Sequence, residues 1–128
     1  MNYGFSKTVD YSYERAIDKV TEELKKEGFG VLTTIDVKDT MKKKLDIDFK
    51  KYMILGACNP PLAHIALTAE VELGLLLPCN VIVYENDRKK TVVAFFDPKL
   101  MAQMVDNPAL AVIADEVYSK LQRVYAAL

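Results

Sequence analysis

The chain has 128 residues, of which 51% are hydrophobic and 27% charged, and 17 basic against 18 acidic side chains give a formal net charge of −1. This length and balance are typical of one globular domain spanning 1–128, and they argue against a disordered chain and against a strongly basic protein that binds nucleic acid or membrane surfaces. The first residues show no signal peptide, and no apolar run reaches the roughly 18 residues of a membrane helix, so we expect a cytoplasmic protein.

The first two predicted elements are a strand and an amphipathic helix. Residues 2–9 are predicted to be the strand, and helix 11–27 follows because apolar residues recur there at steps of three and four. Asp10 or Ser12 can accept a hydrogen bond from the unpaired N–H groups of the first helical turn. Gly28 fits the left-handed position that commonly ends a helix.

The middle of the chain is predicted to alternate strands with short helical segments. β-Branched residues indicate the strands, and the polar turn "NDRK" between two apolar runs indicates a hairpin. Val37, Met41 and Leu45 are spaced four apart and predict one apolar helix stripe. In chain order we predict a strand at 30–37, a helix at 38–49, a strand at 51–58, a helical segment at 60–73 and hairpin strands at 80–85 and 90–96.

The last predicted element is a long helix that begins at Asn107-Pro108 and runs to the end of the chain, since asparagine caps well and proline suits the first helical position. The short connections favour an α+β fold, with an antiparallel sheet and the two long helices packed on one face. A parallel β-α-β step across 51–85 is the alternative topology.

One block of the sequence contains both cysteines, Cys58 and Cys79, together with the only histidine, His64. Each cysteine precedes an asparagine, Asn59 or Asn80. Asn59 can cap the helix that follows, so Cys58 lies directly before a helix N-terminus. The repeated Cys-Asn step makes these five residues the candidate site.

The helical segment 60–73 is apolar on both sides. A surface helix is normally polar on its outer side, so we expect this outer side to contact a ligand or a partner subunit, and a symmetric homodimer is the commonest case. One side groups Leu62 with Ile65, Ala66, Ala69 and Leu73, and the other side, the predicted dimer interface, groups His64, Leu67, Thr68 and Val71.

If the strands are antiparallel, Cys58 and Cys79 are expected to be neighbours near a helix N-terminus, which lowers a thiol pKa. Other interpretations stay open: two buried apolar side chains, a disulfide, a metal site with His64, or a cysteine–histidine catalytic pair. The spacing C-x5-H-x14-C supplies too few ligands for a typical zinc site, and we predict no metal. The lysine run 42–44 is interleaved with aspartates, so we predict a solvated helix face and no nucleic-acid partner.

The stretches "GACNPPLAHIAL" and "LGLLLPCNVIVYE" resemble the hallmark of the bacterial and archaeal family known as domain of unknown function 302. The resemblance covers nearly the whole chain. It implies a small α+β domain of β-α-β4-α type, similar to TATA-binding-protein-like folds, and a homodimer. It implies no established activity. The motif runs Gly56-Ala57-Cys58-Asn59-Pro60 and then Leu77-Pro78-Cys79-Asn80.

Two hypotheses of function follow from the sequence, which identifies no cofactor and no reaction. In the first, a small ligand or a reactive sulfur species binds where Cys58 and Cys79 meet, Asn59 and Asn80 supply hydrogen bonds, and His64 lines the rim. In the second, the chain is a non-catalytic dimeric interaction module with structural cysteines.

Overall fold

Five strands form one antiparallel sheet in the computed structural model, which describes residues 1–128. Their order across the sheet is β1-β5-β4-β3-β2. The antiparallel prediction is therefore confirmed, and the alternative parallel step across 51–85 is wrong because β3 and β4 run in opposite directions. The strands are β1 Gly4–Val9, β2 Gly30–Asp36, β3 Tyr52–Cys58, β4 Cys79–Glu85 and β5 Thr91–Phe96.

Five α-helices and one 3-10 helix connect or follow the strands. The two long helices, α1 and α5, belong to the α+β architecture that the sequence predicts. No helix combines the length and the hydropathy that crossing a bilayer requires. The helices are α1 Tyr13–Lys26, α2 Val37–Leu45, α3 Pro60–Ala69, the 3-10 helix Val71–Leu76, α4 Lys99–Met104 and α5 Pro108–Ala126.

Helix α1 begins and ends through the local signals visible in its sequence. The Ser12 hydroxyl accepts a hydrogen bond from the Arg15 N–H at 3.1 Å. At the other end Gly28 adopts φ +85°, and the Phe29 N–H donates to the Leu24 carbonyl at 2.9 Å. This backbone pattern is a Schellman ending, which only a residue tolerant of positive φ forms without strain.

The core lies between one face of the sheet, here called the core face, and helices α1 and α5. On this face Phe5 stacks on Phe95 with ring centroids 5.2 Å apart, and Tyr125 of α5 meets Phe5 edge-on at 5.7 Å. Such aromatic pairs add stability beyond the area they bury. The largest fully buried side chains are Phe95, Leu24, Leu55, Leu121, Val20, Val81, Val83, Val93 and Val124.

Helix α2 is shorter and less buried than its sequence predicts. It ends at Leu45 because Asp46 adopts the left-handed conformation, with φ 52°. None of the predicted stripe of Val37, Met41 and Leu45 is buried. The reason is position: α2 packs only against the edge strand β2 and its neighbour β3, so no second layer covers the stripe.

The helical segment predicted at 60–73 is interrupted after Ala69. Glu70 is extended, with φ −147°, and the chain resumes as the 3-10 helix before Leu77-Pro78 leads into β4. The predicted inner side is therefore only partly buried. Leu62, Ala66 and Leu73 are buried, whereas Ile65 and Ala69 are exposed.

Candidate functional site

A cavity of about 340 Å³ lies at the end of the sheet where β3 stops and β4 begins. Ala57 of β3 and Cys79 of β4 border it on the sheet side, and α3 and α5 border it opposite. None of its lining residues is charged. Apart from the two cysteines, its polar lining groups are those of Thr33 and Asn59.

The cavity exists because small residues from four elements meet at the same place. They are Ala57 on β3, Ala63 and Ala66 on α3, Gly74 on the 3-10 helix and Ala114 on α5. Protein interiors are normally packed as densely as organic crystals, and an unfilled volume costs stability in proportion to its size. A void of this size in a small domain therefore needs a function or an occupant.

The cavity opens to solvent between β2 and α3. Leu32 of β2 and Leu67 of α3 belong to its lining and are 66% and 37% exposed. Gly74 of the 3-10 helix is also in the lining and is exposed. Apolar side chains thus surround the entrance, which favours the entry of apolar molecules over charged ones.

The predicted thiol pair does not form, because Cys58 and Cys79 are not near each other. The β3–β4 register places Ala57, not Cys58, opposite Cys79. Because side chains alternate between the two faces of a strand, the Cys58 side chain points away from the face that Cys79 occupies. Both cysteines border the cavity, but as separate free thiols.

Burial governs the chemistry of Cys79. The residue is 7% exposed, and loss of hydration raises the pKa of its thiol to about 11. A thiol with this pKa is protonated at neutral pH and is a weak nucleophile. No three of the chain's His, Cys, Asp and Glu side chains gather closely enough to hold a metal ion.

Asn59 holds the start of α3 against the end of α1. Its side-chain oxygen accepts from the Leu62 N–H at 3.3 Å, which caps α3 as predicted. Its amide nitrogen also donates to the Glu27 carbonyl at 3.3 Å, next to the left-handed Gly28. Both amide groups are therefore engaged in the fold, and the ligand-binding role given to Asn59 stays a prediction.

Asn107 has the same double function at the other end of α3. It caps α5 by accepting from the Ala109 N–H at 3.1 Å. Its amide nitrogen donates to the Ala69 carbonyl at 3.0 Å and to the Glu70 carboxylate at 3.2 Å. The helix that forms one wall of the cavity is thus held at both ends by an asparagine.

The remaining predicted site residues lie outside the cavity. His64 and Thr68 are exposed on α3, where the Thr68 hydroxyl donates to the His64 carbonyl at 2.7 Å. Val71 is 80% exposed at the start of the 3-10 helix. Asn80 is exposed on β4, opposite Gly56. Their roles in ligand binding or in dimerisation stay predictions.

Sequence reasoning missed the part of the lining that α4 and α5 contribute. Met101 on α4, and Leu110, Ala114 and Val117 on α5, border the cavity. The α5 residues were visible as an apolar stripe, which predicts burial but not an unfilled volume. Only the small size of Ala114 in that stripe indicated where space would remain.

Comparison with known proteins places this architecture in a family. The family model for domain of unknown function DUF302 matches residues 5–128. The chain belongs to the DUF302 family. A crystal structure of an uncharacterised conserved DUF302 protein from Bacillus stearothermophilus has a TM-score of 0.87 to this DUF302 chain, with 30% sequence identity, and the match covers 100% of this chain and 97% of that one.

Membership of DUF302 confirms the resemblance read from the Cys-Asn motifs, and it confirms the α+β fold. No curated protein matches the sequence. Because the family has no known function, and because one fold hosts many activities, the function has to be inferred from the cavity itself.

Proposed function

We propose that this protein binds a small, uncharged apolar molecule in the cavity between the sheet end and helices α3 and α5. The observation that carries the proposal is the cavity: about 340 Å³, open at one side and lined without a single charged residue. Ligand sites typically occupy 300 to 1,000 Å³ and are mostly apolar with a few polar groups, roughly as here.

The lining restricts the class of ligand. A charged headgroup would lose its hydration and gain no ion pair, at a cost of several kcal/mol or more. An apolar cavity of about 150 Å³ is already large enough to bind benzene in another protein. The present volume suits an aromatic ring system or a medium-length alkyl chain, with Thr33 and Cys58 among the polar residues of the lining.

The alternative ligand, a reactive sulfur species, has lost its main support. That hypothesis required two neighbouring thiols, and Cys58 and Cys79 are not near each other. The raised pKa of Cys79 further reduces its reactivity at neutral pH. We also propose a cytoplasmic location, which the two free cysteines support because cytoplasmic thiols stay reduced.

Binding of N-phenyl-1-naphthylamine, an uncharged apolar fluorophore, tests the proposal. We expect saturable fluorescence enhancement with about one site per chain. Ala114→Phe places a large side chain in the cavity and should weaken binding about tenfold or more. Ala111→Phe, the matched control, adds the same group one turn earlier on α5 at an exposed position and should leave binding unchanged.

Should Ala114→Phe fail to fold by circular dichroism, Ala63→Leu fills the cavity from α3 with a smaller side chain and should weaken binding in the same direction. Absence of saturable binding by the unmodified protein would overturn the proposal and favour the interaction module. Equal binding by the unmodified protein and a folded cavity-filling variant would overturn it as well.

A further inference from the structure

Strand β2 is an open edge of the sheet, because it pairs with β3 on one side and with no strand on the other. In such an edge strand about every second residue directs its N–H and C=O groups away from the sheet. No backbone hydrogen bond outside the β2–β3 ladder involves residues 30–35. The Thr40 hydroxyl bonds only to the carbonyl of the last residue, Asp36, at 2.8 Å. The open side of β2 therefore presents a row of free backbone donors and acceptors.

The opposite edge of the sheet, strand β1, is protected in ways that β2 is not. Lys7 lies in the middle of β1, and its ammonium group donates to the Tyr125 carbonyl of α5 at 3.2 Å. A lysine on an edge strand discourages pairing with another chain. Residues 30–35 of β2 include no charged residue and no proline. Two of the six residues of β1 are exposed, against six of the seven of β2, so β2 is the edge that is open to pairing.

A β-bulge connects this free edge to the cavity. The pairing of β2 with β3 shifts between Val31 and Thr33, which leaves Leu32 without a partner. Bulges beside functional sites commonly redirect a side chain. Leu32 and Thr33 both line the cavity, and beyond the bulge residues 33–36 pair regularly with 53–56. The same strand thus borders the cavity entrance and offers a regular edge next to it.

There is room for a further chain along this edge. A Cβ atom added to Gly30 of β2, or to Gly74 of the 3-10 helix, would meet no atom within 4 Å. The cavity between these elements is lined without a charged residue. An extended chain beside β2 would therefore find backbone partners on one side and apolar space for one of its side chains.

We propose that an extended, uncharged peptide segment of another protein pairs with the free edge of β2 as a sixth strand and inserts one large apolar side chain into the cavity. In strand addition, main-chain hydrogen bonds supply affinity and pockets for side chains supply specificity. A volume of about 340 Å³ exceeds the roughly 150 Å³ that holds benzene, so a phenylalanine side chain fits. The inference rests on the proposed function because the cavity has to accept an apolar group from outside.

A short peptide segment fits this edge better than a second folded domain does. Helices α1 and α2 pack on β2, and α2 follows directly after Asp36. The edge strand of a second copy would bring these helices with it, whereas a single extended chain needs only the strand spacing of about 4.8 Å.

Calorimetric titration with a synthetic heptapeptide tests the proposal. The probe is acetylated and amidated Thr-Val-Thr-Phe-Thr-Val-Thr, which has no charge and favours extended structure. We expect saturable binding, and displacement of N-phenyl-1-naphthylamine because the phenyl ring occupies the cavity. Replacing the phenylalanine of the probe by alanine should weaken binding about tenfold or more. Binding that does not depend on this side chain would overturn the insertion into the cavity.

Two N-methylated probes test the backbone pairing. One has methyl groups on the amides of its second, fourth and sixth residues, and the other on those of its third and fifth. Because N–H groups alternate between the two edges of a strand, each set of methyl groups blocks one edge only. We expect one of these probes to bind like the parent peptide and the other to bind at least tenfold more weakly. Equal affinities of the two would rule out strand addition.

Hydrogen exchange of the protein amides locates the peptide. The parent probe should slow exchange of alternate β2 amides at least tenfold and leave β1 amides unchanged, so the second edge of the sheet serves as the internal control. Slower exchange in β1 alone, or no change in β2, would contradict the proposal. Protection of β2 that rises with protein concentration in the absence of peptide would mean that a second copy occupies the edge, and would overturn it too.

A matched pair of variants transfers the charge that protects β1 to the other edge. Thr34→Lys should weaken binding of the heptapeptide about fivefold, because a neighbouring uncharged strand removes water from the ammonium group. Thr34 does not line the cavity, so binding of N-phenyl-1-naphthylamine should be unchanged. Thr8→Lys, at an exposed position of β1, is the control and should affect neither ligand.

The outcomes distinguish this inference from the proposed function. If N-phenyl-1-naphthylamine binds and the heptapeptide does not, the cavity binds small molecules and strand addition is wrong. If neither binds, both proposals are wrong. If the heptapeptide binds with protection of alternate β2 amides and the fluorophore does not bind, the small-molecule proposal fails and strand addition stands.

Discussion

The two ends of the core face are built from side chains of very different size. At the β1–β5 end, Phe5, Phe95 and Tyr125 form an aromatic cluster, and Leu121 is 1% exposed beside the core strands. At the end of the sheet that carries Cys58 and Cys79, the facing residues are alanines and a glycine. They are too small to fill the space between them, and the cavity is the volume that remains. Both ends share the same sheet and the same helix α5.

This difference shows that one domain can divide stability and binding between regions. The aromatic end holds the fold together by dense packing. The cavity end is less well packed and depends on hydrogen bonds at both ends of α3, from Asn59 and Asn107. We therefore expect substitutions to have unequal effects at the two ends even where the residue and its burial are the same.

The largest difference should appear between Leu121→Ala and Leu110→Ala. Both leucines lie on α5 and are 3% exposed or less, but only Leu110 borders the cavity. We expect Leu121→Ala to lower the free energy of unfolding by about 4 kcal/mol and Leu110→Ala by about 2 kcal/mol, since Leu110 loses fewer contacts. Urea unfolding measures both, and equal losses would mean that the two ends are equally well packed.

A smaller effect is expected at high pH, where ionisation of the Cys79 thiol should lower the free energy of unfolding. Burial raises the pKa of this thiol to about 11 from about 9, so the folded chain holds a proton that the unfolded chain releases between these values. Stability is unaffected below pH 9 and falls as the pH rises from 9 to 11, by up to about 2 to 3 kcal/mol. Thermal unfolding across this range measures the fall.

Two variants separate the thiol from other titrating groups. Cys79→Ala should reduce the loss of stability between pH 9 and 11, and Cys58→Ala should reduce it less, because burial raises the pKa of Cys79 more than the Cys58 charge does. Tyr13, whose pKa burial raises to about 12, titrates equally in both variants and in the unmodified protein. If the fall in stability between pH 9 and 11 is unchanged in Cys79→Ala, the thiol is hydrated in the folded protein, and water fills the cavity next to it.

Much of the fold followed from local sequence signals. Ser12, Gly28 and Asn107 act within one or two turns of their own helix, and the "NDRK" turn sets the β4–β5 hairpin by itself. Such signals are read correctly because they involve few residues near one another in the chain. The short connections then left the antiparallel sheet as the favoured topology.

The candidate site was harder to predict because it depends on register and on distant contacts. Strand β3 is apolar on both faces, so its pattern does not specify which residue lies opposite Cys79, and a shift of one residue reverses the direction of every side chain. The bond from Asn59 to Glu27 spans 32 positions of sequence, and seven separate helices and strands line the cavity. Periodicity contains no information on either.

The smallest expected effect tests how the cavity end is held together. Asn59→Ala removes both the cap of α3 and the bond to the Glu27 carbonyl, and should cost about 1 to 2 kcal/mol. Asn59→Ser keeps a capping oxygen but is too short to reach Glu27, so it should cost about half as much. Ser12→Ala, which removes a cap without a second bond, is the control on α1.

Native-state hydrogen exchange locates the effect of these variants. Asn59→Ala should accelerate exchange of α3 amides more than that of β5 amides, because α3 opens locally while β5 exchanges only on global unfolding. Ser12→Ala should accelerate exchange in α1 instead. If Asn59→Ala accelerates exchange uniformly, α3 is part of the same cooperative unit as the aromatic end, and the division of the core into a stable end and a binding end does not hold.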